Sequence, residues 1–297
     1  MTGDSKGPVL SERRSGRRES KGVLYVVATP IGNLDDITFR ALKILKQVQL
    51  VAAEDTRRTG ILLRHFGVET SILSVHEHNE RARIERIVSQ LTRGESVALV
   101  TDAGTPGISD PGAALVAAVR EAGFRVEPIP GASAVAAAIS ASGVSSPGFT
   151  FLGFPPIRSK DRKLWFSQLS DASNRLVVFF EAPHKVRRTL EDLAIFVKRP
   201  IIIGREITKV HEEFVLGTIQ ELLARFDAPQ GEFTFLIPPA DPASEVAADI
   251  TDDSVVVLFG QITESKRSGS KRDAARETGE RLGLTARQVY EIIERNK

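Results

Sequence analysis

The stretch LVTDAGTPGISDPG, residues Leu99–Gly112, decides how this chain is read. It continues a short apolar run that begins at Ser96, and it then places three glycines, two prolines and two aspartates in succession without a single lysine. A Walker loop needs a Lys followed by Ser or Thr after its last glycine, and a dinucleotide fingerprint needs G-x-G-x-x-G entering a helix; neither follows any strand-like run here. The glycines imply a backbone that bends sharply and offers its amides and carbonyls to a ligand lacking phosphate.

On both sides of this loop, apolar strand-like runs alternate with helix-period segments, which is the signature of an α/β fold. Upstream, Val23–Ala28 reads as a first buried strand. Asp35 or Asp36 then caps a helix with Phe39, Leu42, Leu45 and Val48 inward, and Ile84, Ile87, Val88 and Leu91 mark a second helix stopped by Gly94. Downstream, a helix starts near Pro111 with Leu115, Val116 and Val119 inward and ends at Gly123. A strand over Phe124–Ile129 and an alanine-rich helix within residues 128–143 complete the first half. A second α/β half begins near Phe149, with strands over residues 150–154, 176–181, 200–207 and 232–237.

At 297 residues with 41% hydrophobic content, the chain is long enough for two domains with ordinary cores. It has no cysteine, so a disulfide framework and a thiolate metal site are both excluded, and a cytoplasmic location is expected. The longest apolar runs, such as Leu176–Phe180, are far too short to span a bilayer. Residues 1–21 carry six basic and three acidic side chains and residues 264–297 carry nine and six, so with a total net charge of +2 the body between them is acidic. Composition predicts a disordered basic arm over 1–21 and a linker over 241–253. A tail over 254–297 resembles a helix-turn-helix, entered at its second helix through a Thr285/Gln288 capping box; periodicity leaves Val255–Phe259 open between strand and helix.

Seven motifs taken together, ATPIGNLDDIT (28–38), AAEDTR (52–57), HEHNE (76–80), TDAGTPGISDPG (101–112), PIPGASA (128–134), FFEAPHK (179–185) and GREITKVHEE (204–213), resemble the ribosomal-RNA branch of the tetrapyrrole methylase superfamily. The resemblance runs in order over about residues 22–240, and extends to the helical tail. It implies two α/β subdomains, 22–132 and 133–240, with S-adenosylmethionine bent in the cleft between them, and a homodimer. It also implies methyl transfer to the ribose 2′-oxygen of a decoding-region cytidine in 16S rRNA, within the 30S subunit. For the donor it implies contacts at Ile31, Asp102, Ala103, Gly104, Thr105, Ser133, Ala134, Phe180 and Ile207. Thr29 and Pro30 stand where the superfamily's opening loop has two glycines, as in the rRNA branch, which argues against a porphyrin methylase.

A ribose hydroxyl becomes a competent nucleophile as its proton leaves, so a base or ordering group is sought near the donor. Glu181, at a strand end beside His184 and Lys185, is the first candidate, with Glu206 and Lys209 in the parallel position after the next strand. Charged residues at strand ends equally form structural ion pairs. Arg57, Arg158, Lys160, Arg162, Lys163 and Arg205 are candidate RNA contacts, and Trp165 reads either as a stacking surface or as core. No metal is expected, since His76 and His78 find no third ligand at suitable spacing. The alternatives are a porphyrin-type C-methyltransferase, a diphthamide-pathway methylase and a non-catalytic S-adenosylmethionine sensor that binds nucleic acid.

Overall fold

The computed structural model describes residues 21–296 except 77–78, 159–160, 163, 167–168, 170–173, 241–251, 266–269 and 283. Two compact units emerge. The first extends to Ser140 and takes in Glu206–Glu213; the second comprises Ala141–Arg205 and the chain from Phe214 onward. The expected basic arm, apart from Lys21, and most of the expected linker lie outside the described residues.

The first unit is built on a five-stranded parallel sheet in the order β3-β2-β4-β1-β5, with β1 Val23–Val27, β2 Leu50–Ala53, β3 Ile72–Ser74, β4 Val97–Val100 and β5 Arg125–Ile129. The central strands LVAA and VALV are buried at every position, as strands covered on both faces must be. Helices α1 (Phe39–Gln47) and α2 (Thr56–His65) cover one face: Ala41, Leu45 and Leu63 share a core with Val27, Val51 and Val100. Helices α3 (Glu80–Thr92) and α4 (Ala113–Glu121) cover the other, where Ile87, Leu91, Leu115 and Val119 pack on Leu24, Ala52 and Leu99. This division follows from right-handed crossovers: β1-α1-β2-α2-β3 runs one way along the sheet and β3-α3-β4-α4-β5 runs back.

Two local expectations are corrected. Thr38, whose side chain accepts from the Ala41 amide, caps α1, whereas Asp35 and Asp36 lie in a 3₁₀ turn capped by Asn33. Phe39 consequently falls on the first helical position and is 94% exposed, because Ala41 and Leu45, four apart, take the inward stripe. Helix α4 begins after Gly112, whose φ of +124° favours glycine and where a Cβ would lie 2.9 Å from Leu99 Cδ2.

The second unit holds a mixed sheet in the order β6-β7-β10-β8-β9, with β6 Phe149–Phe151, β7 Leu176–Glu181, β8 Ile201–Arg205, β9 Glu213–Gly217 and β10 Phe233–Ile237. Strand β10 runs antiparallel to both β7 and β8. Helices α6 (Val186–Phe196) and α7 (Ile219–Arg225) pack on it through Leu190, Leu193 and Leu222, around stacked Phe179 and Phe235. Trp165 packs edge-on against Phe166 and Phe179, so it belongs to this core. The tail has three helices, α8 (Asp252–Ser265), α9 (Lys271–Leu282) and α10 (Ala286–Arg295), sharing a small core of Val255, Ala275 and Val289. Val255–Phe259 is therefore helical, and both halves of the Thr285/Gln288 capping box are formed.

Candidate active site

In the first unit, β1 and β4 are neighbours whose onward connections leave in opposite directions, and the carboxyl ends of such a pair leave a crevice where open α/β sheets take ligands. Four loops meet there. Thr29 and Gly104 exchange backbone hydrogen bonds of 2.9 and 3.1 Å, and the Thr29 hydroxyl donates to the Thr101 carbonyl at 3.1 Å. A glycine at position 29 would lose that last tie. Gly104, with φ +79°, leaves its missing Cβ 3.4 Å from Ile31 Cγ2. Thr105 Oγ1 reaches the Ala132 carbonyl at 3.5 Å, and a Cβ on Gly131 would lie 3.0 Å from Ala28 Cβ, so residues 131–134 close the same corner. Alanine-rich helix α5 (Ala134–Ala141) starts from it, with Ser133 Oγ facing the Ala136 amide at 3.5 Å.

The fourth loop, Glu206–Glu213, returns from the second unit's sheet to the first unit. Gly32 accommodates it: a Cβ there would sit 2.5 Å from Lys209 Cγ and 3.1 Å from the Ile207 carbonyl oxygen. Glu206 and Thr208 adopt φ of +51° and +70°, left-handed conformations that cost side-chain-bearing residues on the order of 1–3 kcal/mol each and gather at functional sites. Lys209 Nζ donates to Glu206 Oε1 at 2.9 Å, and the Thr208 amide donates to Glu212 Oε2 at 2.6 Å. Between this loop, Gly32–Asp35 and His65 lies an open cavity of 670 Å³. The buried Thr208 Oγ1 beside it has no hydrogen-bond partner among the described residues.

The glycine loop is acidic. Asp102 accepts from the Asp55 amide at 3.1 Å and from Arg58 Nη1 at 3.0 Å, while its own amide faces Glu54 Oε2 at 3.4 Å. Burial, reinforced by the charge of Glu54, pushes the Asp110 carboxyl up to about 6; burial also raises Glu54. Asp55, hydrogen-bonded by Arg57, is held well below the usual carboxylate range. Backbone groups and half-buried carboxylates, with no lysine among them, suit a cationic ligand better than a phosphate.

Eight of the nine donor contacts implied by the sequence, Ile31, Asp102, Ala103, Gly104, Thr105, Ser133, Ala134 and Ile207, lie in the first unit. Phe180 lies in the second, edge-on to Phe151 at 4.9 Å. Glu181, also in the second unit, is sealed. Its side chain is 1% exposed, Oε2 accepts from Thr189 Oγ1 at 2.5 Å and Oε1 from the Ala182 amide at 2.9 Å, with Arg162 Nη1 at 3.9 Å. Arg162 in turn donates to Asp192 at 2.5 Å and to Thr189 at 2.6 Å, and its side chain is 4% exposed. The expected RNA contact at Arg162 is therefore corrected: a guanidinium buried against α6 and Glu181 cannot meet a phosphate. His184 and Arg158 are exposed; Lys160 and Lys163 lie outside the described residues. Arg205 donates to the Gln230 carbonyl at 2.7 Å, and Arg57 pairs with Asp55. His76 is engaged by Asn79 at both its amide and its ring; His78 lies outside the described residues.

Helix α2, which supplies Arg57 and Arg58, is not legible in the sequence as an element, nor are β2, β3 and β9. The signals that point to it are the Asp55 N-cap and the apolar LVAA run before it.

Comparison with known proteins agrees with this arrangement. Residues 23–223 match the family model described as Tetrapyrrole (Corrin/Porphyrin) Methylases. Ribosomal RNA small subunit methyltransferase I of Synechocystis sp. is 42% identical over 278 residues, covering 91% of this chain and 97% of that protein. The protein of the same name from Halalkalibacterium halodurans is 44% identical, covering 74% and 77%. Among solved structures, diphthine synthase superposes with a TM-score of 0.59 at 14% identity, covering 73% of this chain and 90% of that one. Uroporphyrin-III-C-methyltransferase from Thermus thermophilus superposes with a TM-score of 0.52 at 19% identity, covering 72% and 94%, and at these identities both structures speak for the fold alone. The chain thus belongs to the ribosomal RNA small subunit methyltransferase I family, within the tetrapyrrole methylases.

Proposed function

We propose that this enzyme transfers the methyl group of S-adenosylmethionine to the ribose 2′-oxygen of a cytidine in the decoding region of 16S rRNA. In this reading it acts on the 30S subunit as a cytoplasmic homodimer. The observation that carries the proposal is the convergence of residues 28–32, 101–105, 131–134 and 207–209 at one end of the parallel sheet, in a chain whose relatives of that name match it over most of its length. The corner fits the donor, because left-handed glycines at 104 and 107 bare the loop backbone and the carboxylates of Asp102, Glu54 and Asp110 complement a cation. Ile31, Asp102–Thr105, Ser133, Ala134 and Ile207 would hold it. When bound, S-adenosylmethionine supplies a methyl group activated by the sulfonium.

The protein's own contribution is alignment and proton management. Glu206 and Lys209 are the groups we assign to the acceptor hydroxyl: Glu206 Oε1 takes its proton, and Lys209, 2.9 Å away, stabilises the carboxylate beforehand. Glu181 is not assigned this role, since both its oxygens are engaged in a buried network.

The test is labelled-methyl transfer with 30S subunits, free 16S rRNA and a porphyrinogen offered in parallel, followed by nucleoside digestion. Label in 2′-O-methylcytidine is the expected result. Label in the porphyrinogen alone would overturn the RNA assignment and favour the porphyrin-type alternative. Glu206→Gln should cost roughly 10²- to 10⁴-fold in rate with donor binding intact.

A further inference from the structure

We infer that the α1/α2 face of the first unit is a docking surface for the RNA phosphate backbone, an assignment that rests on RNA being the substrate. The two helices on this face carry six cations, Arg40, Lys43, Lys46, Arg57, Arg58 and Arg64, and no Asp or Glu. The two helices on the opposite face, α3 and α4, carry four cations and three carboxylates, which nearly cancel. All six cations of the α1/α2 face are exposed. Arg57 and Arg58 are matched by Asp55 and Asp102, but Arg40, Lys43, Lys46 and Arg64 form no ion pair among the described residues, Arg64 donating instead to the Gly60 carbonyl. The acidic groups bordering the face, Asp35, Asp36 and Glu69, sit in the flanking turns.

Two large apolar side chains are interleaved with these charges, Phe39 at 94% exposure and Ile61 at 57%. Exposed rings among cations are how proteins hold unpaired bases beside a tracked backbone. The surface also leads to the site: Arg58 and Ile61 line a second cavity whose other walls include Thr29, Thr101 and Asp102 of the donor corner. A strand bound along α2 is therefore led to the corner where the methyl group is delivered. Because the chain between its two basic ends is acidic overall, this concentration of positive charge is a product of topology.

The experiment compares two full-length variants. One replaces Arg40, Lys43 and Lys46 by Gln; the other replaces Arg81, Arg86 and Arg120, exposed cations of the opposite face, by Gln. Affinity for labelled 16S rRNA is measured against salt, with S-adenosylmethionine affinity as the check on folding. Each phosphate that the protein ceases to neutralise takes about 0.7–0.9 off the slope of log K against log salt. The α1 variant is expected to lower that slope by about two and affinity by roughly tenfold, with donor affinity unchanged. The α3/α4 variant is expected to retain the wild-type slope. Equal losses in the two variants, or an unchanged slope in the first, would overturn the assignment. A change in sedimentation with RNA affinity intact would overturn it too, giving the face to a second copy of the chain. Should the triple variant fail to bind donor, Arg64→Gln on α2 carries the same readout, with a slope change of about one. Failure of the wild type to methylate 30S subunits would instead remove the substrate reading itself.

Discussion

An acid follows the apolar run of β4, Asp102 two residues past its end, and another closes β7, Glu181, one in each unit, and the two acids meet opposite fates. After β4 the chain enters a glycine loop, so Asp102 stays partly exposed among amides and Arg58. After β7 the chain turns through Pro183 into α6, whose Thr189 and Asp192 combine with Arg162 to enclose Glu181. The difference teaches that a strand-end carboxylate becomes available for ligand or is consumed by the fold according to what the next element brings over it. Glycines bring nothing; a helix set directly on the strand end brings side chains.

The largest effect is expected where the comparison is broken at its closed end. Glu181→Ala strips the Thr189 hydroxyl and the Ala182 amide of their acceptor and leaves buried Arg162 with Asp192 as its remaining carboxylate partner among the described residues; it should cost about 3 kcal/mol of stability, seen as a fall in denaturation midpoint, while the surviving folded fraction retains donor affinity. A large rate loss at full stability would return Glu181 to the chemistry. At the open end, Asp102→Ala should do the reverse, since its ion pair with Arg58 is exposed and worth little to the fold. Donor affinity measured by calorimetry is expected to fall on the order of tenfold or more, the weight of a hydrogen bond to a charged group. Gly32→Ala places a methyl within 2.5 Å of Lys209 Cγ and should cost about 1–3 kcal/mol as the 206–213 loop is displaced, together with a reduced methylation rate.

The smallest effect concerns Asp110. Its carboxyl is raised in the fold to about 6, so the native state binds a proton more tightly than the unfolded chain does. Stability from this group is present at low pH and is lost as pH rises from about 4 to about 6, with no further change above. Asp110→Asn should flatten stability against pH in that window; an unaltered slope would show that its environment is wetter than its burial implies.

Much of the first unit is legible in residues. Strand runs at 23–27 and 97–100, the 3.6-residue pattern of Ile84, Ile87, Val88 and Leu91, and the left-handed stops at Gly94 and Gly123 each encode local structure that the sequence carries alone. The short strands β2 and β3 and helix α2 are hidden because four buried residues carry no period, and because Arg57 and Arg58 mask the inward face of Thr59, Leu62 and Leu63. The donor corner is legible as motifs, since glycine, proline and small residues at turns have local causes. The sealing of Glu181 is not, as its partners come from residues 162, 189 and 192.

By itself, then, the sequence determined the order of elements, the absence of a phosphate cradle, the glycine loop and the capping of the final helix, all set by local backbone preference and side-chain period. Tertiary structure alone decided which charges are consumed and which are displayed. Crossover handedness puts α1 and α2 on one face, gathering cations that a linear count submerges in an acidic body. The same kind of long-range packing returns residues 206–213 to the first unit and encloses Arg162 with Glu181. Electrostatic consequence depends on distance and burial, and both are properties of the folded chain.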